Sequence, residues 1–68
     1  MERNPLQDRR LTAADIRLLK RNEINPEELK EFRAALDLFK DMQGNVYVKP
    51  KDGSGAGEPT GINLQDLE

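Results

Sequence analysis

The sequence contains no cysteine, no histidine and no tryptophan among its 68 residues. The absence of cysteine excludes a disulfide framework, and the absence of both cysteine and histidine excludes thiolate zinc sites and catalysis by a Cys/His pair. Only two phenylalanines and one tyrosine supply aromatic rings. Any chemistry must therefore come from carboxylates, amines, guanidinium groups and hydroxyls, and no cofactor is predicted.

The chain also lacks a strong charge bias and a long apolar run. Eleven Lys/Arg stand against thirteen Asp/Glu, so the formal net charge is −2, which argues against broad electrostatic binding to nucleic acid. No apolar segment is long enough for a membrane span or a signal peptide. We therefore expect a soluble chain that depends on something outside this sequence for any export. At this length it forms one domain at most, with a thin margin of stability.

The first helix has a clear start signal. Residues 1–10 are polar and predict a flexible N-terminal segment, followed by a single small domain over residues 11–68. Thr12 is placed to cap a helix, and Asp15 stands three residues later, where the acid of a capping box reaches back to the cap. This pattern predicts a helix over about residues 13–21.

A second start signal follows at Asn25, with a proline at the first helical position. Leu29, Phe32 and Leu36 then repeat at i, i+3 and i+7, the spacing of one apolar stripe on a helix. The sequence predicts a second helix that extends through Leu36 and packs against the first as a helical hairpin or corner.

The second half of the chain changes to strand and loop signals. Residues 37–41 either prolong the second helix or form the first strand of a hairpin with residues 45–49, and the turn glycine Gly44 favours the hairpin. In that strand the alternation of period two directs the two valines towards the helices and Tyr47 and Lys49 outward. The predicted fold is therefore α+β, with two short N-terminal helices followed by a β-hairpin and a glycine-rich loop with a short C-terminal strand or turn.

The glycine-rich loop, residues 51–61, concentrates charged side chains on pliable backbone but lacks the lysine of a phosphate-binding P-loop. Cleavage of RNA by its own 2′-hydroxyl needs a base, a proton source and positive charge beside the phosphorane. Glu58 or Asp52 is a candidate for the base. Lys49 and Lys51 are candidates for the positive charge.

These residues also have ordinary structural explanations. Tyr47 is either a ring that stacks on a nucleobase or a half-buried strand residue. Lys49 is either a phosphate ligand or a charge that protects a sheet edge, and the loop is either a site or a flexible surface loop. Asp41, Asp52 and Glu58 also leave open a shared cation site, although the spacing of an EF-hand is absent.

Three runs of the sequence carry a resemblance to a known family: Phe-Lys-Asp at residues 39–41, Gly-Asn-Val-Tyr-Val-Lys-Pro-Lys at 44–51 and Gly-Ala-Gly-Glu-Pro-Thr-Gly-Ile-Asn at 55–63. With these runs the chain resembles the polymorphic toxin type 33 family over residues 11–67. The resemblance implies a C-terminal toxin module of a larger secreted bacterial protein, delivered into the cytoplasm of a target cell. It also implies a ribonuclease that acts in competition between bacteria and is neutralised by an immunity protein.

The resemblance and the loop chemistry together predict a metal-independent endoribonuclease with two groups of site residues. The predicted catalytic group is Glu58, Lys49, Lys51, Asp52 and Thr60. The predicted substrate-binding group is Tyr47, Lys40 and Asp41. The alternative hypothesis is a non-catalytic interaction module that binds a partner protein through the glycine-rich loop.

Overall fold

The computed structural model describes residues 4–68, and in this part of the chain four antiparallel strands form one sheet in the order β1-β2-β3-β4. After a single 3-10 turn at Pro5–Gln7, the elements are β1 (Arg9–Arg10), α1 (Ala13–Arg21), α2 (Pro26–Leu29), β2 (Leu36–Lys40), β3 (Asn45–Pro50), β4 (Glu58–Asn63) and α3 (Leu64–Leu67). The α+β class is confirmed. A four-stranded sheet with β1 ahead of the helices, however, replaces the predicted arrangement of two helices followed by a hairpin.

The first helix begins and ends where the sequence predicts. The Thr12 hydroxyl accepts a hydrogen bond from the Asp15 amide at 3.1 Å, and the Asp15 carboxylate accepts one from the Thr12 amide at 2.9 Å. This reciprocal capping box satisfies two amides that a helix otherwise leaves without partners. From α1 the fully buried Leu19 reaches the core.

The second helix is much shorter than predicted, and the prediction that it extends through Leu36 is wrong. α2 ends at Leu29, and Glu31 and Phe32 then take left-handed backbone angles, with φ of 55° and 56°. Leu36 instead begins β2, where it stands opposite Pro50. Local apolar spacing is a weak preference that tertiary context overrides, in this case through the pairing of β2 with β3.

The predicted β-hairpin is confirmed. β2 and β3 pair antiparallel, with Leu38 opposite Val48 and Phe39 opposite Tyr47. The buried core consists of Leu19, Leu38, Val46 and Leu64, with Val48 packed against it. Because successive strand residues point to opposite faces, Phe39 and Tyr47 lie on the face away from the helices.

The predicted glycine-rich loop over residues 51–61 is too long, since residues 58–61 begin a strand. β4 pairs antiparallel with β3 and places Glu58 opposite Val48. A two-stranded ribbon is marginal in water, and a further strand stabilises it. The glycine-rich loop therefore spans only residues 51–57. Beyond the strand, the Asn63 side chain caps the single helical turn of α3.

The N-terminal residues enter the sheet through β1. Arg10 stands opposite Phe39, and Arg9 stands opposite Lys40. The turn that precedes β1 begins at Asn4, whose side chain caps it. Of the predicted flexible segment, residues 1–3 lie outside the described part of the chain, and the division between that segment and the domain at residue 11 stays a prediction.

Candidate functional site

Lys49, predicted to hold a phosphate, is buried beneath the N-terminal turn. Its ammonium nitrogen Nζ lies 2.9 Å from Oδ2 of Asp8 and donates to the Pro5 carbonyl at 3.0 Å. The same nitrogen lies 5.2 Å from the centre of the Phe39 ring, which is within cation–π range. The Lys49 and Asp8 side chains are each 1% exposed, so the charge is neutralised inside the fold.

Asp41 and Tyr47, predicted to bind substrate, belong to one hydrogen-bonded network at the β2–β3 turn. The Tyr47 hydroxyl donates to Asp41 at 3.3 Å, and the Asn45 backbone and side-chain amides donate to the same carboxylate at 2.9 and 3.1 Å. Burial alone would raise the pKa of Asp41, but these bonds and one from the Gln43 amide outweigh it and lower the pKa. A carboxylate with a lowered pKa is a weak proton acceptor, so Asp41 is better suited to hold the turn than to act as a base.

Lys40, the third predicted substrate ligand, is ion-paired to Asp15, the acid of the α1 capping box. Its Nζ lies 2.6 Å from Oδ2 of Asp15. Burial acts to raise the pKa of Asp15, but the hydrogen bond from Lys40 and those from Thr12 lower it below its ordinary value. This ion pair lies in a groove of about 570 Å³. The groove is lined by Gln7, Arg9, Asp15, Lys40, Asp41, Met42, Gly44, Leu64, Gln65 and Glu68. We call this the Lys40 groove.

The remaining members of the predicted catalytic group have separate local positions. The Asp52 carboxylate accepts from the Ser54 amide at 2.8 Å, which lowers the pKa of Asp52. The Thr60 hydroxyl donates to the Val46 carbonyl at 2.9 Å and thereby ties β4 to β3. Lys51 is exposed on the glycine-rich loop.

Glu58 lies in a second groove, which we call the Glu58 groove. Its volume is about 510 Å³, and it lies between the glycine-rich loop and the segment that follows α2. It is lined by Leu29, Glu31, Arg33, Leu36, Val48, Pro50, Ser54, Gly55, Gly57 and Glu58. Glu58 and Arg33 are both exposed, and within residues 4–68 neither side chain forms an ion pair. A carboxylate and a guanidinium group that form no ion pair within residues 4–68 therefore share one groove.

The structure does not bring Lys49 and Glu58 together. Glu58 stands opposite Val48, which packs against the core on the helix side of the sheet. Lys49 follows Val48 and therefore points to the other face. Arg33, rather than Lys49, is the cation that shares a groove with Glu58. Sequence reasoning missed this role because it placed Arg33 within the second helix, where no signal separates it from other surface cations.

The described residues contain neither a cluster of metal-binding side chains nor a helix that could span a membrane. Across residues 4–68 no three His, Cys, Asp or Glu side chains lie together as metal ligands would. Asp41, Asp52 and Glu58, which the sequence left open as a shared cation site, therefore do not form such a group. None of the helices in the same range has the length and apolar character needed to cross a membrane.

The described residues thus form a small α+β domain with a polar groove beside a glycine-rich loop. The model of the family described as Bacterial toxin 33 matches residues 4–65. The chain belongs to this family of bacterial toxin domains, which confirms the resemblance found in the sequence. No curated protein and no solved structure matches the chain.

Proposed function

We propose that this toxin domain is a ribonuclease, delivered into a target bacterium and neutralised by an immunity protein. Membership of a bacterial toxin family supports the toxic role. The observation that carries the enzymatic part is the Glu58 groove, where an exposed carboxylate and an exposed guanidinium group have no ion-pair partner within residues 4–68. Charged groups that form no ion pair in the described part of the chain are the proposed contacts for a substrate.

The proposed reaction uses the 2′-hydroxyl of the RNA as the nucleophile. Glu58 takes the proton of that hydroxyl while its oxygen attacks the neighbouring phosphorus. The bond from phosphorus to the 5′-oxygen breaks, and the 5′-oxygen takes a proton from solvent. The products are a 2′,3′-cyclic phosphate and a 5′-hydroxyl end.

Positive charge for the phosphorane comes from Arg33 in this scheme. Charge developed in the transition state is stabilised most by donors that are already in place. Lys51, on the loop that forms one wall of the groove, is proposed as a second phosphate ligand. Lys49 is proposed to act indirectly, since its ammonium group is already paired with Asp8. The catalytic and substrate-binding roles of Asp52, Thr60, Tyr47, Lys40 and Asp41 stay predictions and are not needed by the scheme.

The test is cleavage of total bacterial RNA by the purified protein, with and without a chelator. We expect cleavage under both conditions and a loss of about 10²–10⁴-fold in rate for Glu58→Gln, which removes the base. Glu28→Gln is the matched control, because Glu28 is an exposed glutamate on α2 that does not line the groove. Equal cleavage by the wild type and Glu58→Gln would contradict the assignment of the base.

A second candidate function is the interaction module without catalysis. The charges of the Glu58 groove favour it, because its lining has two acids, Glu31 and Glu58, and only one cation, Arg33. An acidic protein must recognise RNA by local contacts rather than by its overall field. Expression in bacteria separates the two candidates. If the domain is a nuclease, the wild type arrests growth unless its immunity protein is co-expressed, and Glu58→Gln does not arrest growth. An interaction module without catalysis should show no such difference between the wild type and Glu58→Gln.

A further inference from the structure

The chain has three aromatic residues, and they differ in how much of each ring is exposed to solvent. Phe39 is 5% exposed and lies between the cations of Arg10 and Lys49, at 5.4 and 5.2 Å from its ring centre. Tyr47 is half-buried, and its hydroxyl donates to Asp41. Phe32 is 70% exposed. Only this last ring presents most of its surface to solvent.

The backbone that carries Phe32 has an unusual conformation. Glu31 and Phe32 are consecutive residues with left-handed φ angles of 55° and 56°, a region that bulky residues rarely adopt. The Phe32 amide donates to the Glu27 carbonyl at 2.9 Å, and the Arg33 amide donates to the Lys30 carbonyl at 3.0 Å. The turn is therefore held by hydrogen bonds. Because the ring is exposed, its packing offsets little of the backbone strain. Strain of this kind is concentrated at functional sites.

Phe32 belongs to the segment that forms one wall of the Glu58 groove, although it does not itself line the groove. Its two chain neighbours, Glu31 and Arg33, both line that groove. Single-stranded nucleic acids are bound by combining cations for the phosphates with exposed aromatic rings on which bases stack. Arg33 and Phe32 supply one group of each kind from adjacent positions.

We propose that Phe32 stacks on an unpaired nucleobase of the RNA whose phosphate binds at Arg33. This inference rests on the proposed ribonuclease function and names the substrate feature that the groove recognises, a base in a single-stranded segment. Because every base has a flat π-face, recognition by this ring tolerates different base sequences.

A protein partner is the other occupant to consider for an exposed ring. Protein interfaces have an apolar core that is larger than one side chain. Among residues 4–68 the other strongly exposed large apolar residues are Leu6, at 92%, and Met42, at 85%. They belong to the N-terminal turn and the β2–β3 turn, and Phe32 is flanked by two charged residues. An isolated ring between charges fits a nucleotide better than a protein surface.

The test measures binding of a short fluorescent single-stranded RNA of mixed sequence by the Glu58→Gln protein, which leaves the RNA intact. In this background Phe32→Gly removes the ring and also suits the left-handed φ, so we expect unchanged or higher resistance to urea. The dissociation constant should rise about 5- to 150-fold, the range for loss of one base–aromatic stack. Phe32→Trp should bind at least as tightly as the parent, and Leu6→Ala is the control for an exposed apolar side chain away from the groove.

Salt dependence separates stacking from a general loss of structure. Phe32→Gly should leave the slope of log K against log salt unchanged, because the ring carries no charge. Arg33→Gln should make that slope about 0.7 shallower, the value for one phosphate contact on a single strand. RNA affinity of Phe32→Gly within twofold of its parent overturns the proposal. If binding of the immunity protein alone is weakened, the ring belongs to a protein interface instead, and the proposal is likewise overturned. The ribonuclease function itself stands or falls separately, on cleavage by the wild type and its loss in Glu58→Gln.

Discussion

The two faces of the sheet use their charged residues differently. On the face away from the helices, Lys49 and Asp8 form an ion pair in which each side chain is 1% exposed. On the helix side, Glu58 and Arg33 are exposed in one groove and make no ion pair within the described residues. Both Lys49 and Glu58 were predicted to be catalytic, and the structure separates them by the thickness of the sheet.

The cost of burying a charge explains why these two predicted site residues differ. A charge is moved into a protein interior only at a large desolvation cost, which a close partner must offset. A charge on the surface bears no such cost and remains available to a ligand. We therefore expect the fold to depend on Lys49 and to tolerate the replacement of Glu58.

Loss of the buried ion pair between Lys49 and Asp8 should destabilise the protein more than any other change considered below. Lys49→Ala leaves Asp8 buried without its partner and should destabilise the protein by about 3–5 kcal/mol. That is a large share of the roughly 3–10 kcal/mol expected for a chain of this length. Urea unfolding measures it. In the control, Asp8→Leu combined with Lys49→Met replaces both charges by apolar groups and should recover most of the loss. An unchanged urea midpoint for Lys49→Ala would show that the pair does not hold the N-terminal turn.

A smaller effect is expected where the glycine-rich loop meets Lys49. Gly57 has a φ of +77°, and a Cβ there would lie 2.6 Å from Lys49 Cγ and 2.9 Å from the Val48 carbonyl oxygen. We expect Gly57→Ala to destabilise the protein by about 2–4 kcal/mol, through overpacking added to left-handed strain. Gly55→Ala is the matched control, because Gly55 has the same strain at φ +78° but no atom of residues 4–68 within 4 Å of an added Cβ. Equal unfolding midpoints for the two variants would rule out the steric contribution.

The smallest effect concerns pH and the turn at Asp41. The folded-state pKa of Asp41 is lower than its ordinary value of 3.8. Its contribution to stability is therefore present above about pH 4 and is lost as the pH falls through the folded pKa. As the pH is lowered from 6 to 2, the urea midpoint should fall less steeply for Asp41→Asn than for the wild type. Tyr47→Phe, which removes one of the hydrogen-bond donors to Asp41, should have an intermediate slope. Some slope remains because the pKa of Asp15 is also lowered. An identical slope in Asp41→Asn would contradict the prediction.

Local sequence signals were sufficient where a few neighbouring residues decide the structure. The capping box of Thr12 and Asp15 set the start of α1, and the turn at Gly44 with the two valines set the hairpin. They failed at Phe32 and at Glu58, where pairing between distant segments decided the outcome. Local signals could not predict the candidate site either. Arg33 and Glu58 line one groove because the chain after α2 passes beside the glycine-rich loop.

The family, the α+β class, the first helix and the hairpin could be predicted without a structure, since each depends on adjacent residues or on a recognisable run. The burial of Lys49 with Asp8 and the groove shared by Glu58 and Arg33 became visible in the folded chain alone. Burial and groove membership depend on residues that are far apart in the chain. Asp8 and Lys49 are joined by the antiparallel sheet, and no local pattern encodes that contact.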